Sequence, residues 1–116
     1  MTRDVALLLL AAGVVTMPGV VATMAAERGV DVTRALATVT AESNWDAEAV
    51  GDEGDAVGLW QFHAGTWSWA CEYTGHAEWG APEMRRDAVA STVVALDMIA
   101  AGWGHLWTGW REREGT

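Results

Sequence analysis

Apolar positions recur along this chain at helical spacing, and alternating strand-like patterns are scarce. Asp4 to Gly13 is a short continuous apolar run, which reads as a buried first helix stopped by Gly13. Two other readings compete for it. A signal peptide wants a basic start and a small-x-small cleavage site, but Arg3 is followed at once by Asp4, and Val21 to Ala26 offers no such site. A membrane span needs about 20 apolar residues, and Val5 to Ala26 reaches that length only by crossing Thr16, Pro18 and Gly19. A weak membrane-associating or export segment therefore stands as the alternative to a core helix.

Thr16, with Pro18 in the first turn, begins a second helix that runs to about Arg28 and stops at Gly29. Val20, Val21, Met24 and Ala25 give it one apolar stripe. Asp31 or Thr33 caps a third helix ending near Asn44, on which Ala35, Val39 and Glu42 share a face. Thr66 to Tyr73 reads as a helix, Thr74 to Pro82 as a loop, and Pro82 to about Ala101 as one long helix ended by Gly102. The rest divides into a glycine- and aspartate-rich loop after Trp45, with two short extended pieces flanking residues 51–58, a Trp- and Gly-rich turn from Gly102 to Trp110, and a charged, frayed tail over 111–116. The pattern predicts an all-α domain, or a mostly helical α+β one.

Length adds that residues 1–116 form a single domain, large enough to bury roughly two thirds of its unfolded surface. Eight tryptophans exceed what core filling requires, so some are expected to line a groove. The net charge of −9, with arginine as the only basic side chain besides histidine, argues against nucleic-acid binding, which needs a basic face. Cys71 is the only cysteine, so the fold rests on its core without an internal disulfide. It reads as a small buried hydrophobe.

The chemistry concentrates between Ala41 and Thr66. Glu42 lies at the edge of a buried stripe, and burial disfavours the charged form of a carboxylic acid. A glutamate so placed stays protonated near neutral pH and can act as a general acid. The alternative is a carboxylate at a helix end that reaches water. Asp46, Glu48, Asp52, Glu53 and Asp55 crowd one loop with Gly51 and Gly54, but their spacing is not that of an EF-hand, and neither metal nor cofactor is expected. His63, His76 and His105 have no metal-ligand spacing and read as surface or packing residues.

Ala41-Glu42-Ser43, Gly51-Asp52-x-Gly54, Gly58-Leu59-Trp60-Gln61 and Gly65-Thr66 together resemble the lysozyme-like domain of soluble lytic transglycosylases and goose-type lysozymes. The resemblance spans roughly residues 17–110, and G-D-x-G-x-x-x-G-L-x-Q is most similar to the goose-type branch. It implies a helical domain with a deep groove for peptidoglycan glycan strands, cut at the β-1,4 bond between N-acetylmuramic acid and N-acetylglucosamine. Carried over by position, Glu42 is the general acid and Asp52 positions water. Ser43 supports the glutamate or the substrate's acetamido group. Gly58, Leu59 and Gln61 shape the groove, Gln61 bonding sugar, and Thr66, Trp103 and Trp107 join the substrate-binding set.

Three departures bear on this. His63 stands where the goose-type pattern has a second aspartate. Ala100-Ala101-Gly102-Trp103-Gly104 stands where the family has a Tyr-Asn pair. Trp60 replaces a commoner methionine and would add a stacking surface to the groove floor. The W-x-x-W from Trp107 to Trp110 is more similar to small phage-encoded lysozyme domains. On this resemblance the chain is expected to be a monomeric wall-degrading enzyme, made in a host cytoplasm and acting on the periplasmic or extracellular side. A lytic transglycosylase and a non-catalytic wall-binding module are the alternatives.

Overall fold

The structure is a computed structural model, and it describes residues 1–112. Helix α1 (Arg3–Ala11) is capped by Thr2, whose hydroxyl accepts from the Val5 amide. It leads through Gly13, in the left-handed region at φ 73°, to α2 (Met17–Glu27). Helix α3 (Val32–Ser43) starts at Asp31, whose carboxylate accepts from the Arg34 amide, and ends at a left-handed Asn44. Three two-residue strands follow: β1 (Val50–Gly51), β2 (Ala56–Val57) and β3 (Phe62–His63). They form an antiparallel sheet in the order β1-β2-β3, with Gly51 opposite Ala56 and Ala56 opposite His63. Helices α4 (Ala64–Tyr73), α5 (Ala88–Met98) and α6 (Thr108–Arg111) complete the domain.

Helix α5 is the central element. Nine of its eleven residues are buried, and α1, α2 and α4 all pack on it. That burial explains why residues 88–106 are apolar enough to span a membrane and yet sit largely inside the domain. The expected stripe of α2, Val20, Val21, Met24 and Ala25, is fully buried. Trp60 and Trp67 are buried completely. Trp60 donates to Thr92 Oγ1 at 3.0 Å and offers its carbonyl to the Trp107 indole at 2.9 Å. Phe62 stands edge-on to Trp67 and Trp107, at 5.0 and 5.4 Å between centroids. Truncating such a tryptophan costs about 3–5 kcal/mol.

The all-α to α+β, lysozyme-like expectation holds, with four corrections. The long helix expected from Pro82 to Ala101 is two elements. A 3₁₀ stretch, Pro82–Arg86, gives way at Asp87 (ψ 106°) to α5, and the Asp87 carboxylate caps the Ala90 amide. Apolar spacing is blind to that break because an N-cap aspartate fits a helix face as well as a helix start. Helix α1 is not a buried core helix. Only Ala6 is buried, and Leu8 is 70% exposed, although the helix packs on α5. A π-helical segment, Ile99–Trp103, runs from the end of α5 into the Trp-rich turn, which also contains a 3₁₀ turn and α6. Most tryptophans belong to the core or pack against it, and Trp69, at 40%, is the most exposed of them. Of the tail, Arg111 lies in α6, and residues 113–116 lie outside the described residues.

Candidate active site

A groove of about 340 Å³ opens between the C-terminal end of α3, the small sheet, the first turn of α4 and the segment Leu106–Thr108. Glu42 enters it from the last turn of α3. Its neighbours on the same helix face, Ala35 and Val39, are fully buried and anchor that turn to the core. Glu42 is half-buried, and none of the ion pairs among the described residues involves it. Its carboxyl is held above the ordinary glutamate range, first by burial and then by the negative charge of Asp52.

Asp52 reaches the groove from the turn after β1, where Asp52 and Glu53 both adopt positive φ, 49° and 58°. Such backbone is costly for residues other than glycine and persists only where the surroundings impose it. Here the sheet imposes it. With Ala56 opposite both Gly51 and His63, the strand register brings His63 within reach of the Asp52 turn. His63 Nε2 lies 3.0 Å from Asp52 Oδ2, and both side chains line the groove.

The Gly58–Gln61 motif braces this loop. Gly58 has φ 91°, and a Cβ there would lie 2.0 Å from the Arg85 carbonyl oxygen, so only glycine fits. Gln61 lines the groove, while its Nε2 donates to the Ala49 and Gly58 carbonyls. Its Oε1 fills the space where a Cβ on Gly51 would stand. The buried Arg85 guanidinium donates to the Asp55 and Phe62 carbonyls, at 2.9 and 3.0 Å, and ties both sides of the loop to the 3₁₀ stretch before α5.

Of the residues expected at the site, the structure brings together Glu42, Asp52, Gln61, Thr66 and Trp107. Ser43 is not beside them: it faces the core, and its hydroxyl donates to the Val39 carbonyl. Gly58 and Leu59 are buried supports. Trp60 is not a groove floor. It has no exposed surface, so it cannot stack on a sugar and instead fills the core beneath the site. Trp103 lies outside the groove lining, against Trp69, Tyr73 and His105. Sequence reasoning missed Ala56, Phe62, His63, Leu106 and Thr108 as groove residues. The signal for His63 was present, since it stands where the resemblance expects an aspartate just after Gly58-Leu59-Trp60-Gln61.

A mostly helical frame with a small sheet, and an open groove presenting a half-buried glutamate and an exposed aspartate, is a lysozyme-like arrangement. The sequence matches the transglycosylase SLT domain family over residues 20–106, more than half of the chain, and the chain belongs to that family. The family acts on peptidoglycan, placing this domain's work at the cell wall. Neither the curated proteins nor the solved structures gave a significant match.

Proposed function

We propose that this domain is a muramidase that cuts the β-1,4 bond between N-acetylmuramic acid and N-acetylglucosamine in peptidoglycan strands. Glu42 protonates the glycosidic oxygen as the C1–O bond breaks. Water adds to C1, and its proton passes to Asp52, which His63 orients. The observation that carries this reading is the half-buried Glu42, outside every ion pair among the described residues and facing Asp52 in one groove. A general acid is helped by a raised pKa, and burial beside a second carboxylate shifts Glu42 in that direction. The W-x-x-W from Trp107 to Trp110 favours a phage-encoded, bacteriolytic enzyme, made in a host cytoplasm and reaching the wall from there.

One observation favours a second outcome at the same site. The matched family is a transglycosylase family, and His63 replaces the second aspartate of the goose-type pattern. A lytic transglycosylase needs no base to activate water, because the sugar's own 6-hydroxyl attacks C1 and leaves a 1,6-anhydro end. Mass spectrometry of fragments released from purified peptidoglycan separates the two. Reducing muramic ends, lost in Asp52→Asn, are expected for the muramidase. Anhydro ends, undiminished in Asp52→Asn, would establish the transglycosylase and leave Asp52 a loop residue. Glycan binding without turnover in the parent would leave a wall-binding module.

A further inference from the structure

With the groove and core accounted for, one aromatic cluster remains at the surface. Trp69 and Tyr73 on α4 are 40% and 52% exposed. Their rings lie 5.6 Å apart at a shallow 38°, and both stand nearly perpendicular to Trp103, at 84° and 83°. The three rings therefore make a corner, with two forming one slab and the third forming the adjoining wall. Exposed aromatic surface grouped in this way, and not scattered singly, marks a contact site.

The corner adjoins the groove on two elements. Thr66 lines the groove, and Trp69 lies one helical turn further along the same side of α4, with Tyr73 a turn beyond. Across from them, Leu106 lines the groove, and its neighbour His105 packs against Trp103. A strand leaving the groove between Thr66 and Leu106 meets these rings next. Aromatic faces are apolar and carry partial negative charge, which suits the weakly positive axial C–H groups of a pyranose ring.

We propose that Trp69, Tyr73 and Trp103 form a stacking subsite for a pyranose ring of the glycan strand, separate from the sugars held around Glu42. The proposal rests on the glycan-cleaving reading of the groove. The subsite lets the enzyme favour long strands over short ones through stacking, which a domain of net charge −9 cannot achieve by attracting an anionic wall.

The test is calorimetric titration of peptide-free peptidoglycan glycans, from disaccharide to octasaccharide, into the full chain carrying Glu42→Gln so that nothing is cut. Adding Trp69→Ala and Tyr73→Ala should weaken binding of the longest strands about tenfold, on the scale of one good aromatic contact. The loss should be confined to strands long enough to reach from Glu42 to Trp69, and Trp69→Phe should restore most of it. Equal weakening at every length, or none at the longest, overturns the subsite while the groove reading stands. A protein that binds no glycan at any length overturns the groove reading and the subsite with it.

Discussion

Two clefts among the described residues differ in how their charges are matched. The second cleft encloses about 510 Å³ against about 340 Å³ for the groove, and is lined by Met1, Arg3, Arg28, His76 and Trp79 among others. Its charges are matched. The Met1 amino group pairs with Glu27, Arg3 with Asp87, and Arg28 with Asp97 at 2.7 Å. His76 stacks flat on Trp79 at 4.2 Å and lies near both Glu78 and Asp97. The groove leaves Glu42 without a cation among the described residues, and Asp52 on strained backbone with His63 as its partner. Matched charges hold elements together, while a half-buried, unmatched acid is held ready to give up a proton. Charge that the fold leaves unmatched, more than volume, separates the proposed site from the other cleft.

That contrast can be broken by mutation. Glu42→Gln should reduce release of soluble fragments from purified peptidoglycan by about 10²–10⁴-fold, the usual worth of a positioned acid. Arg3→Ala, in the larger cleft, should leave that rate unchanged. A comparable loss from Arg3→Ala would erase the distinction between the clefts. The larger cleft should instead show itself in stability. Asp87 pairs with Arg3 and caps α5 through the Ala90 amide. Asp87→Ala should cost about 1–3 kcal/mol in denaturant unfolding, combining a lost cap with a lost partly buried ion pair, and should spare turnover per folded molecule.

A smaller effect concerns pH. Burial and then the Asp52 charge raise the Glu42 pKa, so the fold favours the neutral carboxyl more than the unfolded chain does. Its contribution to stability is present in acid, below the unfolded pKa, and is lost as pH rises through the raised folded value. Glu42→Gln should therefore melt slightly higher than the parent at neutral pH, with the gain vanishing in acid. Identical pH dependence in both proteins would remove the claim of a strained acid. Smallest is the effect of salt. At −9 the domain is repelled by an anionic wall at low ionic strength, and moderate salt should raise activity on whole walls by about a factor of a few. A fall on adding salt would show that attraction, not repulsion, governs the encounter.

How much of the fold and the site was legible in the sequence depended on how local the signal was. Helix α3 was readable because Asp31, the stripe of Ala35 and Val39, and the left-handed Asn44 are all local features, and they place Glu42 without reference to any distant segment. The break at Asp87 and the three two-residue strands were not fully legible. A two-residue strand has no periodicity, and its register is set by pairing across the loop. The same reason hid His63, whose meeting with Asp52 exists only through the opposition of Ala56 with Gly51 and His63. The tryptophans misled in the other direction. Composition counts them but cannot assign them, and Trp60 went to the core because its indole found Thr92 from α5, a partner far along the chain.

The most direct test is to titrate Glu42 itself, by following its side-chain carboxyl carbon by NMR in the parent and in Asp52→Asn. The expected midpoint lies above the ordinary glutamate range in the parent and falls once the Asp52 charge is removed, with part of the elevation surviving because burial is the larger cause. A Glu42 that titrates as an ordinary exposed glutamate, or one indifferent to Asp52, would contradict the claim that this groove is built to hold an acid.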